Sequence, residues 1–382
     1  MTEPTEAPGF RQSPLTPATH GISVDEAIGI RTQIQLRCLV MLPRIALTIG
    51  DVAGIGPEVV ARAINDPRLL DCCRPIVVGH PVVFRRALQL IDSSCDIIPV
   101  VELDDIDWSL TAVPCWNPSA VAADRVPIGA IDAQAGRAAY DYLVASTRAA
   151  LAGQLEAITT APLNKAALHE AGLDYPGHTE ILASECNVDE FAMMLYLPPG
   201  PPLRGPHGLG VAHVTLHTSI RSVPGLLSTV HIRETIQLID RFLRRVGCDA
   251  PRVGVCALNP HGGEGGLFGD EEGTLIAPAV EAARALGVDA TGPIPADALL
   301  RRAVMGEFDG VAAMYHDQGH IALKLIGFER AVNVTLGLPI VRTSPSHGTA
   351  FDIAWQGKAS AEGFLEAVRT AAVLAKTLPE RH

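Results

Sequence analysis

Short apolar runs alternate with longer amphipathic stretches from residue 44 to the C-terminus. Seven of these runs are predicted as strands, at residues 44–49, 75–78, 157–160, 211–216, 253–258, 310–315 and 332–336. A helix is predicted at residues 231–246, where Ile232, Ile236, Ile239 and Leu243 share one face and arginines occupy the other. A second helix is predicted after the acidic run at residues 270–272. Because strands alternate with helices, the pattern predicts a layered α/β fold with a largely parallel sheet.

The length and the first residues bear on the domain organisation. A chain of 382 residues is long for one domain and suits two. Residues 1–40 are rich in proline and threonine and have no sustained period, which predicts a disordered extension. Met41 stands just before the first predicted strand and is an alternative start of translation, in which case the extension is not translated.

Composition narrows the class of protein. The chain has 30 basic and 42 acidic side chains and a net charge of -12, which argues against a nucleic-acid partner. Its eight cysteines include no C-x-x-C pair, so buried free thiols in a reducing cytoplasm are expected. No apolar run is long enough for a membrane helix, and the N-terminus has no signal-peptide core. These observations predict a cytoplasmic protein with no membrane or nucleic-acid partner.

Three histidines each stand at or just beyond the end of an apolar run. His217, His261 and His316 follow the predicted strands at 211–216, 253–258 and 310–315. Ligands of open parallel α/β sheets bind outside the carboxyl ends of the strands. Three imidazoles at that edge could form one metal site with an open position. Because the chain has 13 histidines, three unrelated loop histidines are an alternative.

Two glycine-rich loops and one short motif are further candidates. The turn "GDVAGIGPE" (50–58) is either a tight structural turn or a loop that binds an anion with its backbone N–H groups. In "YPGHTE", His178 and Thr179 either cap a helix or contact a ligand. The four glycines after His261 indicate a backbone kept bare for close approach.

Cationic and amide side chains lie near the last apolar strands. Lys324, Asn333 and Arg342 are either a cradle for a phosphate or carboxylate or ordinary solvated surface groups.

Several motifs resemble one family. "GDVAGIGPE", "YPGHTE", "LNPHGGEGG", "PAD", "MYHDQGH", "NVTLGLPIVRTS" and "HGTAFDIAWQGKA" are similar to those of the 4-hydroxythreonine-4-phosphate dehydrogenases of the pyridoxal phosphate pathway. The resemblance runs in order from about Arg44 to the C-terminus, and its first motif also resembles the isocitrate and isopropylmalate dehydrogenase group. It implies a two-domain α/β/α fold, with residues 41–160 plus 331–382 as the first domain and 161–330 as the second. It also implies a homodimer whose active site lies in the interdomain cleft and is completed by the partner subunit.

The resemblance assigns roles to particular residues. It implies a metal site of His217, His261 and His316, and a substrate site of His178, Thr179, Lys324, Asn333 and Arg342. It implies NAD or NADP and one divalent metal ion (zinc, magnesium, manganese or cobalt) as cofactors. The implied reaction oxidises the secondary hydroxyl of 4-phosphohydroxy-L-threonine, a small phosphorylated hydroxy acid, and then releases carbon dioxide. Lys165 and Asp297 are the candidates for the catalytic base.

Three departures from the family pattern leave alternatives open. Val52 stands where the family often has proline, "HVTLHTSIRSV" differs from the usual "TTHLPL" kind, and His320 occupies a position at which the biosynthetic enzymes differ. The last two of these variants resemble a branch that oxidises cis-dihydrodiol dicarboxylates. A further branch oxidises 4-phosphoerythronate and 4-phosphothreonate. A ligand-binding protein without catalytic activity is the alternative from another class.

Overall fold

The structure is a computed structural model and describes residues 42–377. The predicted extension at residues 1–40 and the alternative start at Met41 lie outside the described residues. Twelve strands form one sheet: β1 (Arg44–Thr48), β2 (Arg74–Val78), β3 (Ile97–Val100), β4 (Val113–Trp116), β5 (Ala157–Thr160), β6 (Ala192–Leu197), β7 (Leu209–His213), β8 (Arg252–Cys256), β9 (Asp289–Ile294), β10 (Gly310–Ala313), β11 (Val332–Leu336) and β12 (Val341–Pro345).

The helices lie between these strands in the chain. They are α1 (Gly56–Ile64), α2 (Pro67–Leu70), α3 (Pro81–Leu90), α4 (Ala133–Leu151), α5 (Lys165–Glu170), α6 (His178–Cys186), α7 (Val223–Leu226), α8 (Thr229–Arg245), α9 (Ala277–Ala285), α10 (Ala296–Val304), α11 (His316–Gly327) and α12 (Glu362–Ala375). None of the helices within residues 42–377 combines the length and the apolar character that crossing a membrane requires.

The order of the strands places two parallel blocks on either side of a mixed centre. The order is β3-β4-β2-β1-β5-β12-β11-β6-β7-β10-β8-β9. The first six strands in this order, β3, β4, β2, β1, β5 and β12, are parallel to one another. The last four, β7, β10, β8 and β9, are also parallel to one another. Strand β11 is antiparallel to β12 and β6, and β6 is antiparallel to β7. The predicted α/β class with a largely parallel sheet is confirmed, whereas the division into two domains stays a prediction.

All seven predicted strands are present, with ends that differ by up to three residues. The prediction of a helix at 231–246 is confirmed by α8, in which Ile232, Ile236, Ile239 and Leu243 are fully buried. The predicted helix after the acidic run is also present, as a π-helical turn at Glu272–Ile276 that continues into α9. Ser228 begins α8 because its hydroxyl accepts a hydrogen bond from the backbone N–H of His231 at 3.1 Å.

Helices cover both faces of the parallel block formed by β7, β10, β8 and β9. Alternate residues of a strand point to opposite faces of its sheet, and the glycines show which helix lies on each face. A Cβ on Gly310 of β10 would lie 2.3 Å from Ile239 of α8, and a Cβ on Gly319 of α11 would lie 3.2 Å from Ala313 of β10. Helices α8 and α11 therefore pack on opposite faces of β10.

The turn at residues 50–58 is a structural turn in this fold. The backbone N–H of Asp51 donates to Pro162 O at 2.9 Å, and that of Ile55 donates to Thr349 O at 3.0 Å. The carboxylate of Asp51 accepts from the N–H of Ala53 at 2.9 Å. These N–H groups are bonded within the protein, so they are not presented to an anion.

Candidate functional site

Most of the predicted site residues line one cavity of about 310 Å³. They are Lys165, His178, Thr179, His217, His316, Asn333 and Arg342. The wall also includes Glu180, His320, Ser346 and His347, which the sequence-based site assignment does not contain. Lys324 lies beside the cavity, and its Nζ donates to the carbonyl of Ser346 at 3.3 Å. His261 and Asp297 do not line this cavity.

Arg342 is the most deeply buried charged group in the wall, with 2% of its surface exposed. Its Nη1 donates to Thr335 Oγ1 at 3.2 Å and its Nη2 donates to Thr160 Oγ1 at 2.8 Å. Its Nε has no hydrogen-bond partner among the described residues. Burial lowers the pKa of Arg342 to about 10, and the nearby Glu180 partly opposes this shift. A buried guanidinium with a free N–H indicates a place for an anion.

The helix N-terminus at α6 brings His178 and Thr179 to the same wall. Gly177 is the N-cap residue, so His178 and Thr179 lie in the first turn of α6 and not at its cap position. The pKa of His178 is well below its usual value, first because the ring is buried and then because of the positive charge of Arg342. The ring is therefore neutral near pH 7 and available as a hydrogen-bonding group.

Two further residues that line the cavity have polar atoms without hydrogen-bond partners among the described residues. Asn333 Oδ1 and His347 Nε2 are buried and have no hydrogen-bond partner among the described residues. Because His347 Nδ1 donates to the carbonyl of Gly348 at 3.1 Å, its Nε2 carries a lone pair. Lys165 begins α5, where the side chain of Asn164 caps the helix by accepting from Ala167 N at 3.0 Å. The wall thus combines cationic donors with imidazole and amide acceptors.

His217 and His316 come together because β7 and β10 are adjacent parallel strands. Their ring centroids lie 5.8 Å apart. Metal–imidazole bonds are about 2.0–2.1 Å long, so two rings at this separation can reach one ion between them. His316 Nδ1 donates to Asp317 Oδ1 at 2.7 Å, which leaves its Nε2 free for a ligand. A carboxylate partner of this kind is typical of metal-binding histidines.

Helix α11 is held in place by Gln318, which belongs to the motif around His316. Its Oε1 accepts from the backbone N–H of Met314 at 2.7 Å, and its Nε2 donates to the carbonyl of Ala257 at 2.8 Å. Gln318 thereby ties the start of the helix to the ends of two strands, β10 and β8. His316, in the first turn of α11, is fixed with it.

His261 lies apart from the other two predicted metal ligands, although it follows β8, the neighbour of β10. Residues 261–265 all have left-handed backbone angles, and the loop turns the His261 ring outward, where 75% of its side chain is exposed. Asp297 is exposed in the first turn of α10. A Cβ on Gly262 would lie 3.9 Å from Pro295, so the loop of His261 lies close to the start of α10. Within residues 42–377, no three histidine, cysteine, aspartate or glutamate side chains are arranged to hold a metal.

Two further histidines lie next to His217 and His316, and the sequence analysis did not predict that they contact each other. His213, at the end of β7, and His320, in α11, are buried and joined by a 3.1 Å hydrogen bond. His320 stacks on His316, with the ring centroids 3.8 Å apart and the planes 14° from parallel. The spacing of His316 and His320, four residues apart in a helix, is the only sequence signal for this contact.

The α/β sheet places a buried arginine, further cations and several imidazoles around one cavity, an arrangement that suits a small anionic ligand. The family described as pyridoxal phosphate biosynthetic protein PdxA matches residues 71–371. This protein belongs to the PdxA family, as its resemblance to the 4-hydroxythreonine-4-phosphate dehydrogenases implied.

Individual relatives fall into two activities. The chain is 44% identical to the D-threonate 4-phosphate dehydrogenase of Pectobacterium atrosepticum, over 87% of this chain and 99% of the relative. It is 43% identical to the 4-hydroxythreonine-4-phosphate dehydrogenase of Geobacter metallireducens, over 87% and 96%. The crystal structure of a 4-hydroxythreonine-4-phosphate dehydrogenase from Klebsiella pneumoniae is similar, with a TM-score of 0.76, 42% identity and coverage of 87% and 99%. These relatives support a dehydrogenase activity in the family.

Proposed function

We propose that the protein is a metal-dependent NAD(P) dehydrogenase that oxidises the secondary hydroxyl of 4-phosphohydroxy-L-threonine. The oxidised product would lose carbon dioxide to give 3-amino-2-oxopropyl phosphate, in pyridoxine 5'-phosphate biosynthesis. The observation that carries the proposal is the buried Arg342, whose Nε has no partner among the described residues, in the wall of the cavity that His217 and His316 also line. That combination suits a substrate with an anionic end and a hydroxyl to be oxidised.

The anionic end of the substrate would be bound at Arg342. Arg342 and Asn333 line the cavity, each with a buried polar atom that has no partner among the described residues, and Lys324 lies beside it. A charge-assisted hydrogen bond from a guanidinium in a water-poor site is short and strong. Thr179 and the neutral ring of His178 would bind the rest of the substrate and orient its C–H bond.

His217 and His316 would hold the divalent metal ion. The bond of His316 to Asp317 and the 5.8 Å separation of the two rings fit this role. A divalent ion bound there would supply Lewis-acid chemistry, which lowers the pKa of a bound alcohol. The third ligand would be His261 of the partner subunit, since His261 is exposed on its own subunit.

Exposed apolar side chains support a homodimer with a shared site. Ile321, Leu325 and Phe328 lie on one face of the α11 region and are 57%, 83% and 53% exposed. Leu267 and Phe268 follow the His261 loop and are 74% and 50% exposed. Apolar groups clustered in this way mark contact surfaces. Docking of the Leu267 loop of one copy beside α11 of the other would carry His261 toward His316.

Lys165 is the better placed of the two candidate bases. It lines the cavity of its own subunit, and the pKa of His217 is lowered first by burial and then by the positive charge of Lys165. Asp297 is exposed and lies near the His261 loop of its own subunit. It would therefore enter a shared site only if that loop docked against the other subunit.

A second candidate substrate is D-threonate 4-phosphate. It is favoured by the 44% identical relative of that name, which matches over 99% of its own length. Both candidates are four-carbon acids with a 4-phosphate group and a secondary hydroxyl, so the same anion site would bind either.

Reduction of NAD or NADP, followed by absorbance, tests the proposal. The purified protein would be given 4-phosphohydroxy-L-threonine, D-threonate 4-phosphate, 4-phosphoerythronate and a cis-dihydrodiol dicarboxylate, with added metal and with EDTA. We expect turnover of a 4-phosphorylated acid that EDTA abolishes, and loss of both metal binding and turnover in His316→Ala. His231→Ala, which removes an exposed histidine, is the matched control. A metal-bound protein that turns over none of these compounds would instead be a non-catalytic binder.

A further inference from the structure

Three histidine rings next to the cavity contact one another in sequence, through one hydrogen bond and one ring stack. His213 Nδ1 lies 3.2 Å from the carbonyl of Met193, and His213 Nε2 lies 3.1 Å from His320 Nδ1. His320 then stacks on His316. His213 and His320 are 1% and 8% exposed, so the pair is buried beside His316, although His320 also lines the cavity.

The direction of each hydrogen bond follows from the first acceptor. A carbonyl oxygen only accepts, so His213 Nδ1 must donate to Met193. In a neutral ring the other nitrogen then carries a lone pair, and His213 Nε2 accepts from His320 Nδ1. Each tautomer of the pair is therefore set by the Met193 carbonyl, and the plane of the His320 ring is fixed by its bond to His213.

Glycine at position 319 makes this arrangement possible. A Cβ there would lie 2.7 Å from His213 Nε2 and 2.7 Å from Val211 Cγ1, closer than van der Waals contact allows. The glycine lets α11 approach β7 closely enough for His320 to reach His213. The same helix places His316 one turn before His320, on the same face.

The His316 ring has few other restraints. Its only hydrogen bond among the described residues is to Asp317, whose side chain is 67% exposed. Rotation of an imidazole about its last side-chain torsion is soft. A fixed ring 3.8 Å away and nearly parallel restricts that rotation, because tilting His316 would bring it into collision with His320.

We propose that the His213–His320 pair is a positioning device that fixes the plane of the His316 ring and so aims His316 Nε2 into the cavity. This inference rests on the proposed role of His316 as a metal ligand. His320 acts through His316, so it is a positioning residue, and His213 acts one step further back.

Two substitutions at position 320 separate the stack from the hydrogen bond. His320→Phe keeps a ring against His316 but removes the donor to His213. His320→Asn keeps a side-chain N–H that can donate to His213 but removes the ring. The probe is Co²⁺, added to the purified full-length protein, with its visible absorption spectrum and its Kd as readouts beside the melting temperature.

We expect metal affinity to follow the stack and stability to follow the hydrogen bond. His320→Asn should bind Co²⁺ roughly 10–100-fold more weakly, with a shifted spectrum, because residues that orient a metal ligand have effects of this size. His320→Phe should bind within about threefold of the unaltered protein but melt at a lower temperature, because His213 Nε2 loses its partner. The proposal would be overturned if His320→Asn bound Co²⁺ with the affinity and spectrum of the unaltered protein. It would also be overturned if the variant with the lower melting temperature were the one that bound Co²⁺ more weakly.

His316→Ala separates this inference from the proposed function. If it binds Co²⁺ as the unaltered protein does, the metal-ligand role of His316 is wrong and the positioning role is refuted with it. If it loses Co²⁺ binding while both His320 variants bind normally, the ligand role stands and only the positioning role fails.

Discussion

Arg342 carries a positive charge into the interior of the sheet without an acidic hydrogen-bond partner. Its hydrogen bonds go to two threonine hydroxyls, and the described residues offer it no ion pair. A charge buried in this way weakens the fold unless a ligand compensates it. The residue is therefore expected to serve binding at the expense of stability.

Replacement of Arg342 by methionine should separate these two effects. We expect KM for the phosphorylated substrate to rise roughly 30-fold or more, since losing a buried charged contact costs about 2–5 kcal/mol. The free energy of unfolding should stay level or increase, because an uncompensated charge leaves the interior. Steady-state kinetics and urea unfolding measure the two. Arg301→Met, at an exposed position, is the control; equal losses of stability and binding in Arg342→Met would contradict this view.

The sequence predicted individual site residues better than it predicted their contacts. Seven of the ten assigned residues line the cavity, and each lies in a short local motif within or next to a regular element, whereas their roles stay predictions. The unpartnered state of Arg342 and the bond between His213 and His320 depend on residues far apart in the chain. No local pattern reports such contacts, so His213 and His347 were missed.

At the scale of elements, α4 and α5 are in direct backbone contact, and α5 carries Lys165. A Cβ on Gly136 of α4 would lie 2.1 Å from the carbonyl oxygen of Ala167 in α5. The short helix α5 thus owes its position to a glycine in a different helix.

Substitution of Gly136 by alanine should therefore move α5. We expect a loss of about 1–3 kcal/mol of stability from overpacking, together with reduced turnover, because Lys165 moves with its helix. Thermal unfolding and kcat measure these effects. Gly225→Ala is the matched control, since nothing lies within 4 Å of a Cβ at that position. An unchanged kcat in a destabilised Gly136→Ala would show that Lys165 is not needed at its present position.

Three of the strands that the sequence did not predict, β3, β4 and β12, have recognisable causes. Strands β3 and β4 each contain proline, and β3 lies at the edge of the sheet with little burial. Strand β12 contains Arg342 and ends at Pro345, so its pattern does not resemble that of a buried strand although all its residues are buried. The strands that follow continuous aliphatic runs, such as β1, were predicted because burial on both faces gives a simple signal.

At the scale of the whole molecule, the proposed dimer decides whether the site is complete. Among residues 42–377, Leu325 is the most exposed of the large apolar side chains, at 83%, and it lies on the helix that begins with His316. A contact at that helix would couple association to metal binding.

Replacement of Leu325 by glutamate should disrupt this contact. We expect the mass in solution to fall from that of two chains toward the 40.3 kDa of one, and metal affinity to fall with it, because His261 of the partner subunit is withdrawn. Light scattering and metal titration measure the two effects. Val101→Glu, at a position 80% exposed and far from α11 in sequence, is the control. A monomeric Leu325→Glu that still binds the metal tightly would contradict the shared site.

The central position of β12 also bears on the order in which the protein assembles on the ribosome. This strand lies between β5 and β11 in the sheet, yet it is the last strand to be synthesised. Until residues 341–345 have emerged, β5 and β11 have open edges that no other strand of the sheet covers, and such edges favour pairing with other chains. Nascent chains should therefore depend most on chaperones just before residues 341–345 emerge.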